Sequence, residues 1–134
     1  AARAAGIQED VRLLGFQPPE ELEGLYTLAS CVVLPSLYEG FGLPVLEAMS
    51  RGVPVACSDI PALREVAGEA ALFFAPTAAG QIASVIGRLT RDEVLRRRLA
   101  DAGLRHAATF TWTKAAEATL DCYRRTLDKG RPAA

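Results

Sequence analysis

The sequence predicts an α/β protein: a parallel sheet covered by helices on both faces, with further helices after it. Two observations carry this prediction. From residue 11 to residue 74, short apolar runs alternate with helical patterns, and each run is apolar on both faces. Strands buried between two helical layers have that composition. After residue 74 the alternation stops and three helical stripes follow.

Each element has its own signal. VRLLG at 11–15 reads as a first strand. PPEELEGLYTLAS at 18–30 puts Leu22, Leu25, Tyr26 and Ala29 on one helical face, with prolines at its start and acids in its first turn. CVVLP (31–35) is a second strand, GLPVLEAMSRG (42–52) a helix stopped by Gly52, and VPVAC (53–57) a third strand. IPALREVAG (60–68) is a short helix with proline near its start and glycine after its end, and AALFF (70–74) is a fourth strand. Beyond it, Ile82, Val85, Ile86 and Leu89 form an i, i+3, i+4, i+7 stripe. The next helix opens at Thr90-Arg91-Asp92-Glu93, with capping-box spacing, and continues through Leu95, Leu99 and Ala102. The last, from about Thr113, aligns Trp112, Ala116, Leu120, Tyr123 and Leu127. Phe110 and Trp112 are expected to anchor it on the sheet domain. The tail DKGRPAA is expected to fray. The opening AARAAG reads as the last turns of a helix whose preceding strand is missing from the sequence.

Bulk properties narrow the function classes. The 134 residues are about one domain, and half are hydrophobic. Fifteen basic and 16 acidic residues leave a net charge of −1, which argues against a nucleic-acid partner. No apolar run approaches the roughly 20 residues of a membrane-spanning helix. AARAAGIQED lacks the apolar centre of a signal peptide. The expected location is cytoplasmic, with peripheral contact at the inner face of the membrane as a lesser expectation resting on Arg96-Arg97-Arg98. Otherwise that run is a solvated face. Cys31, Cys57 and Cys122 are odd in number and show no CxxC spacing, so neither a disulfide framework nor a zinc site is expected. His106, the single histidine, reads as a surface or half-buried helix position.

The segment SLYEGFGLPVLEAM at 36–49 carries the candidate chemistry. It leaves a strand and enters a helix, and ligands of open parallel sheets bind beyond the carboxyl ends of the strands. Gly40 and Gly42 let the backbone turn tightly and let a ligand approach. The first amides of the helix lack intrahelical partners and, with the helix dipole, favour an anion. Pro44 suits the first turn, where no N–H is needed. Glu39 precedes the turn and Glu47 lies about one turn into the helix, so two carboxylates bracket the anion position. A ligand with phosphate in its middle and hydroxyl-rich groups at both ends matches that layout, as a nucleotide-sugar does. The spacing alone favours a blander arrangement: Glu39 solvated and Glu47 paired with Arg51 at i+4.

The surrounding residues decide between them. LGFQPPEELEGLYTLASCVVLPSLYEGFGLPVLEAMSRGVPVACSDIPALREVAGEAALFF resembles the donor-binding domain of retaining GT-B glycosyltransferases, and more closely the group 1 set, also called family 4. The resemblance runs from about Val11 to Leu127, and PSLYEGFGLPVLEAM followed by GVPV is its most specific part. It implies a Rossmann-like sheet, the partial C-terminal domain of a GT-B fold, that binds a nucleotide-diphospho-sugar. Glu39 matches the first glutamate of the family's E-x7-E motif, which faces the transferred sugar and is the implied catalytic residue. Glu47 matches the second, which binds ribose hydroxyls. Gly42 and Leu43 match the amides that meet the diphosphate, with Phe41 adding a backbone contact. Gly15, Phe16 and Gln17 match a loop near the nucleotide base. Ser36 matches a serine after the strand with no assigned role, and Glu65 a family glutamate expected to support its helix. No metal or other cofactor is implied. The implied acceptor is a glycan or lipid-linked molecule in polysaccharide biosynthesis, bound by an N-terminal domain.

Departures from the family pattern shape further expectations. Two central strands, the arginine and lysine that clamp the diphosphate, and the N-terminal acceptor domain have no counterpart in the sequence. A gap is therefore expected between the strands at 11–15 and 31–35, with unpaired edges that a second copy of the chain would cover. The isolated chain is expected to transfer sugar poorly. The alternative is a non-catalytic module that binds nucleotide or sugar phosphate or assembles with a partner chain. A dinucleotide-dependent oxidoreductase is disfavoured, because no G-x-G-x-x-G follows a strand. The nucleotide, GDP, UDP or another, and the acceptor stay open at this stage, with a slight lean to mannosyl or glucosyl donors.

Overall fold

Six α-helices and three strands, preceded by two 3-10 turns at Arg3–Ala5 and Gln8–Asp10, make up the computed structural model, which describes residues 2–129: α1 (Pro19–Leu28), β1 (Val32–Leu34), α2 (Leu43–Ser50), β2 (Val55–Ser58), α3 (Pro61–Ala67), β3 (Ala71–Phe74), α4 (Ala79–Arg91), α5 (Glu93–Ala107) and α6 (Trp112–Lys129). The strands pair in parallel in the order β1-β2-β3. Val33 stands opposite Ala56, and Ala56 opposite Leu72.

β2 is buried along its whole length, and its alternation divides the interior in two. Val55 and Cys57 join a core built from Val45, Ala48 and Met49 of α2, Leu63, Val66 and Ala67 of α3, and Tyr26 of α1. Ala56 joins a second core with Phe74, Val85 and Leu89 of α4, and Leu95 and Leu99 of α5. Both faces of the sheet are therefore covered, as the apolar runs require. α5 reaches both cores, since Ala102 and Ala107 pack on the first. Gly103 lets it lie against α2: a Cβ there would meet Met49 Cγ at 3.1 Å. His106 adds a tie of 2.8 Å from Nε2 to the carbonyl of Val66. Burial pushes the Cys57 thiol up to about 12, so it stays protonated.

Four expectations need correction. Residues 11–15 are not a strand: Val11–Gly15 is exposed and belongs to no sheet. A strand needs a neighbour to accept its backbone bonds, and this segment has none among the described residues. The capping box at Thr90 does not form. Thr90 is still inside α4, where its hydroxyl donates back to the carbonyls of Ile86 and Gly87. Asp92 caps α5 instead, its Oδ1 accepting from the Leu95 amide at 2.8 Å. Trp112 does not anchor the last helix. It is 90% exposed, and Leu120, Tyr123 and Leu127 of α6 are exposed with it. Phe110 does make contacts, edge to face with Phe41 and with His106. In the opening segment Arg3–Ala5 forms a single 3-10 turn rather than α-helix. The expected fraying of the tail falls mostly outside the described residues.

Arg96 is less free than a solvated charge run implies. Its Nη1 donates to the carbonyls of Leu89 and Thr90 at the end of α4, 2.9 Å to each. Arg97 pairs with Glu93 one turn away. No described helix is long and apolar enough to cross a membrane.

Candidate functional site

The segment leaving β1 turns into α2 through Gly42. Gly42 adopts φ +103° and ψ 43°, left-handed values that a side chain disfavours. A Cβ at this position would lie 2.5 Å from Leu63 Cδ2. The glycine is required twice, by its dihedral and by the α3 side chain packed against it. Gly40 differs, with open space where a Cβ would stand and no positive φ.

The start of α2 is uncapped. No side chain caps it, and the turn closes with an i→i−3 bond from the Val45 amide to the Gly42 carbonyl at 3.0 Å. Among the described residues, the amides of Phe41, Gly42 and Leu43 donate to no backbone acceptor. Pro44 removes the next donor without loss. Phe41 and Leu43 are exposed and Gly42 is buried, so the unbonded amides of the two outer residues, with the positive end of the helix dipole, are the groups placed for an anion.

Each carboxylate beside this turn is held by a hydroxyl. Ser36 Oγ donates to Glu39 Oε1 at 2.7 Å. Tyr26 Oη donates to Glu47 Oε2 at 3.1 Å, across from α1. Both glutamates are half-buried. Glu47 does not pair with Arg51 through its side chain. Arg51 instead binds Glu23 of α1, with Nε to Oε2 at 2.7 Å, and donates Nη1 to the main-chain carbonyl of Glu47 at 2.7 Å. Its guanidinium stacks 4.8 Å from the centre of the Tyr26 ring. Burial, and then the bond to Glu47, push the Tyr26 hydroxyl above its ordinary value. The bond to Arg51 holds the Glu23 carboxyl below its ordinary value.

Gly15, Phe16 and Gln17 form a bend before α1, exposed at Gly15 and Phe16 and half-buried at Gln17. Gly15 is left-handed at φ +65°, and Phe16 is 92% exposed. Gln17 donates only to the neighbouring carbonyls of Leu14 and Phe16. No hydrogen bond among the described residues ties this bend to the α2 turn. The turn's other flank, formed by Phe41, Leu43 and Leu46, borders an apolar groove of ≈ 540 Å³ closed by Phe110 and Trp112. Among the described residues, no cluster of three or more His, Cys, Asp or Glu side chains could hold a metal.

The roles of two residues in this arrangement escaped the sequence. Tyr26 reads there as one more apolar residue of α1, because 21 positions separate it from Glu47 and nothing local links them. Ser36 stands three before Glu39, close enough for a local signal, yet serine in a turn has many uses.

Parallel strands between two helical layers, with an open helix start beyond the end of β1, define a Rossmann-like α/β protein. Residues 1–106 match the family model of the group 1 glycosyl transferases. The chain belongs to that family. It is 42% identical over 114 residues to the O-antigen chain mannosyltransferase B of Escherichia coli, a match covering 85% of this chain and 30% of that protein. It is 37% identical over 126 residues to the MMP alpha-(1->4)-mannosyltransferase of Mycolicibacterium hassiacum, covering 91% of this chain and 31% of that protein. Among solved structures, sucrose-phosphate synthase from Thermosynechococcus elongatus superposes with a TM-score of 0.82 at 29% identity, over 96% of this chain and 33% of that one. The C-terminal domain of a group 1 glycosyl transferase, LpcC of Francisella tularensis, gives 0.72 at 30% identity, over 81% and 57%. The chain spans about 30% of the length of these curated relatives. Its three-stranded sheet and helices are a Rossmann-like fragment of the GT-B architecture.

Proposed function

We propose that this chain is the donor-binding domain of a retaining glycosyltransferase. It holds a nucleotide-diphospho-sugar for transfer to a glycan or lipid-linked acceptor, within the relatives' range of mannosyl and related transfers. One observation carries the reading: a turn whose amides at Phe41, Gly42 and Leu43 have no backbone acceptor, with Phe41 and Leu43 exposed, stands between two half-buried carboxylates, each fixed by a hydroxyl donor. Amides suit a diphosphate, and carboxylates suit the alcohols on either side of it.

The chemistry follows from charge. When the sugar–phosphate bond breaks, negative charge grows on the diphosphate and positive character on the sugar ring. Preorganised amides at the start of α2 stabilise the leaving group as that charge develops. Glu39, oriented by Ser36, holds sugar hydroxyls and favours the cationic ring. Glu47 accepts from the ribose hydroxyls. Gly40 leaves room for the ligand, and Gly15, Phe16 and Gln17 lie toward the base. No step calls for a metal.

Two substitutions in the full-length protein test this. Glu47→Ala is expected to weaken nucleoside-diphosphate binding by about 1–3 kcal/mol, the worth of a hydrogen bond to a charged group. Glu39→Ala is expected to lower turnover on the order of 10²-fold with little change in that binding. Calorimetry with GDP and UDP, and transfer rates measured with and without EDTA, supply the readings. Small and equal effects from both variants would return the glutamates to an ordinary surface role. Loss of transfer in EDTA would remove the metal-independent part.

A further inference from the structure

We infer that Tyr26 is a positioning residue for the ligand-binding carboxylate of Glu47, and that α1 sets the affinity of the site for nucleoside ligands through it. The inference rests on the reading that Glu47 meets ribose.

Tyr26 is the buried residue of α1, at 8% exposure, and its hydroxyl ends on Glu47 Oε2 at 3.1 Å. Among the described residues, Glu47 Oε1 accepts from no protein donor, although Oε2 does. An ionised carboxylate has about four acceptor positions, so one bond from Tyr26 fixes the group and leaves most of them for a diol. A free glutamate would have to be ordered by the ligand, and that ordering would subtract from affinity. Tyr26 is itself fixed. The Arg51 guanidinium lies on its ring, held there by Glu23 of α1 and by the Glu47 main-chain carbonyl. The four residues close a circuit between α1 and α2. Burial and the bond to Glu47 raise the Tyr26 hydroxyl above its ordinary value, so it remains a donor throughout any neutral assay. α1 begins two residues after Gln17, so one short helix joins the bend assigned to the base and the carboxylate assigned to the ribose.

Tyr26→Phe separates orientation from packing, because the ring and its stacking on Arg51 stay. Binding of GDP, of UDP and of inorganic pyrophosphate to the full-length protein is measured by calorimetry for the unmodified protein, Tyr26→Phe, Glu47→Gln and the double variant. The dissociation constant of whichever nucleotide binds is expected to rise about five- to tenfold in Tyr26→Phe, with pyrophosphate binding and kcat within about twofold. The double variant is expected to bind no more weakly than Glu47→Gln alone, since the two groups act as one. Unchanged nucleotide binding in Tyr26→Phe, or an equal loss for nucleotide and pyrophosphate, overturns the inference and leaves Tyr26 a packing residue. If Glu47→Gln binds nucleotide normally, or if no ribonucleoside diphosphate binds the unmodified protein, the ribose assignment itself fails and takes the inference with it.

Discussion

Gly42 shows how much one missing methyl group decides. The residue sits at φ +103° with Leu63 Cδ2 2.5 Å from where a Cβ would be, while Gly40, two residues earlier, has nothing within 4 Å. Both glycines look alike in EGFG. Only one is required by the backbone. Gly42→Ala is expected to lower folding stability by about 2–5 kcal/mol, from left-handed strain and overpacking against α3. Gly40→Ala, free of both, is expected to leave stability unchanged or raise it by up to about 1 kcal/mol, as replacing a flexible glycine does. Urea titrations of both variants decide this. Similar losses would mean that the turn tolerates or refuses a side chain without regard to Leu63. Tyr26 makes a related point. Nothing within a few residues of it hints at a carboxylate partner, and only the packing of α1 on α2 brings the hydroxyl to Glu47.

At the scale of elements, what was legible depended on whether the signal was local. The three strands of the sheet were visible as CVVLP, VPVAC and AALFF, because burial on both faces leaves continuous apolar runs. VRLLG has the same composition and is not a strand, because pairing is a property of two segments. The stripe of α6 was visible too, but a stripe states what a helix can bury and not what covers it. The turn from β1 to α2, with its two glutamates, was legible for the opposite reason: its geometry lies within one short stretch of chain. The start of α5 shows how a motif can mislead by two residues. Thr90 and Glu93 have the spacing of a capping box, but α4 runs on to Arg91, so Thr90 is helical and Asp92 is the first residue free to cap. Asp92→Ala is expected to cost about 1 kcal/mol, the usual worth of an N-cap. Thr90→Ala, which removes only bonds back into its own helix, is expected to cost less than about 0.5 kcal/mol. Thermal unfolding of the two variants checks the order, and a larger loss at Thr90 would restore the capping box.

For the whole molecule, the sheet has an open side at β1. The Val32 amide bonds the Pro54 carbonyl, so in a parallel ladder Val32 and Leu34 face β2 and the N–H and C=O of Val33 face away from it. An unpaired edge of this kind recruits a second strand, although one only three residues long does so weakly. A protein of residues 1–134 alone is therefore expected to associate with itself in a concentration-dependent way. Val33→Pro tests the edge directly. Proline deletes the outward N–H and spares every bond to β2, and its fixed φ suits an edge strand. Sedimentation of the unmodified chain is expected to show a weight that rises with concentration, and Val33→Pro is expected to stay monomeric over the same range. A circular dichroism melt confirms that the variant keeps its fold. The competing surface is apolar rather than polar: Trp112, at 90% exposure, begins a helix whose stripe runs on through Leu120, Tyr123 and Leu127, all uncovered. Association driven by that stripe would persist in Val33→Pro, because the substitution does not touch α6. Persistence would therefore move the contact from the β1 edge to the helix or to the other edge strand, β3, and a chain that remains monomeric without any substitution would remove the edge as an adhesive surface altogether.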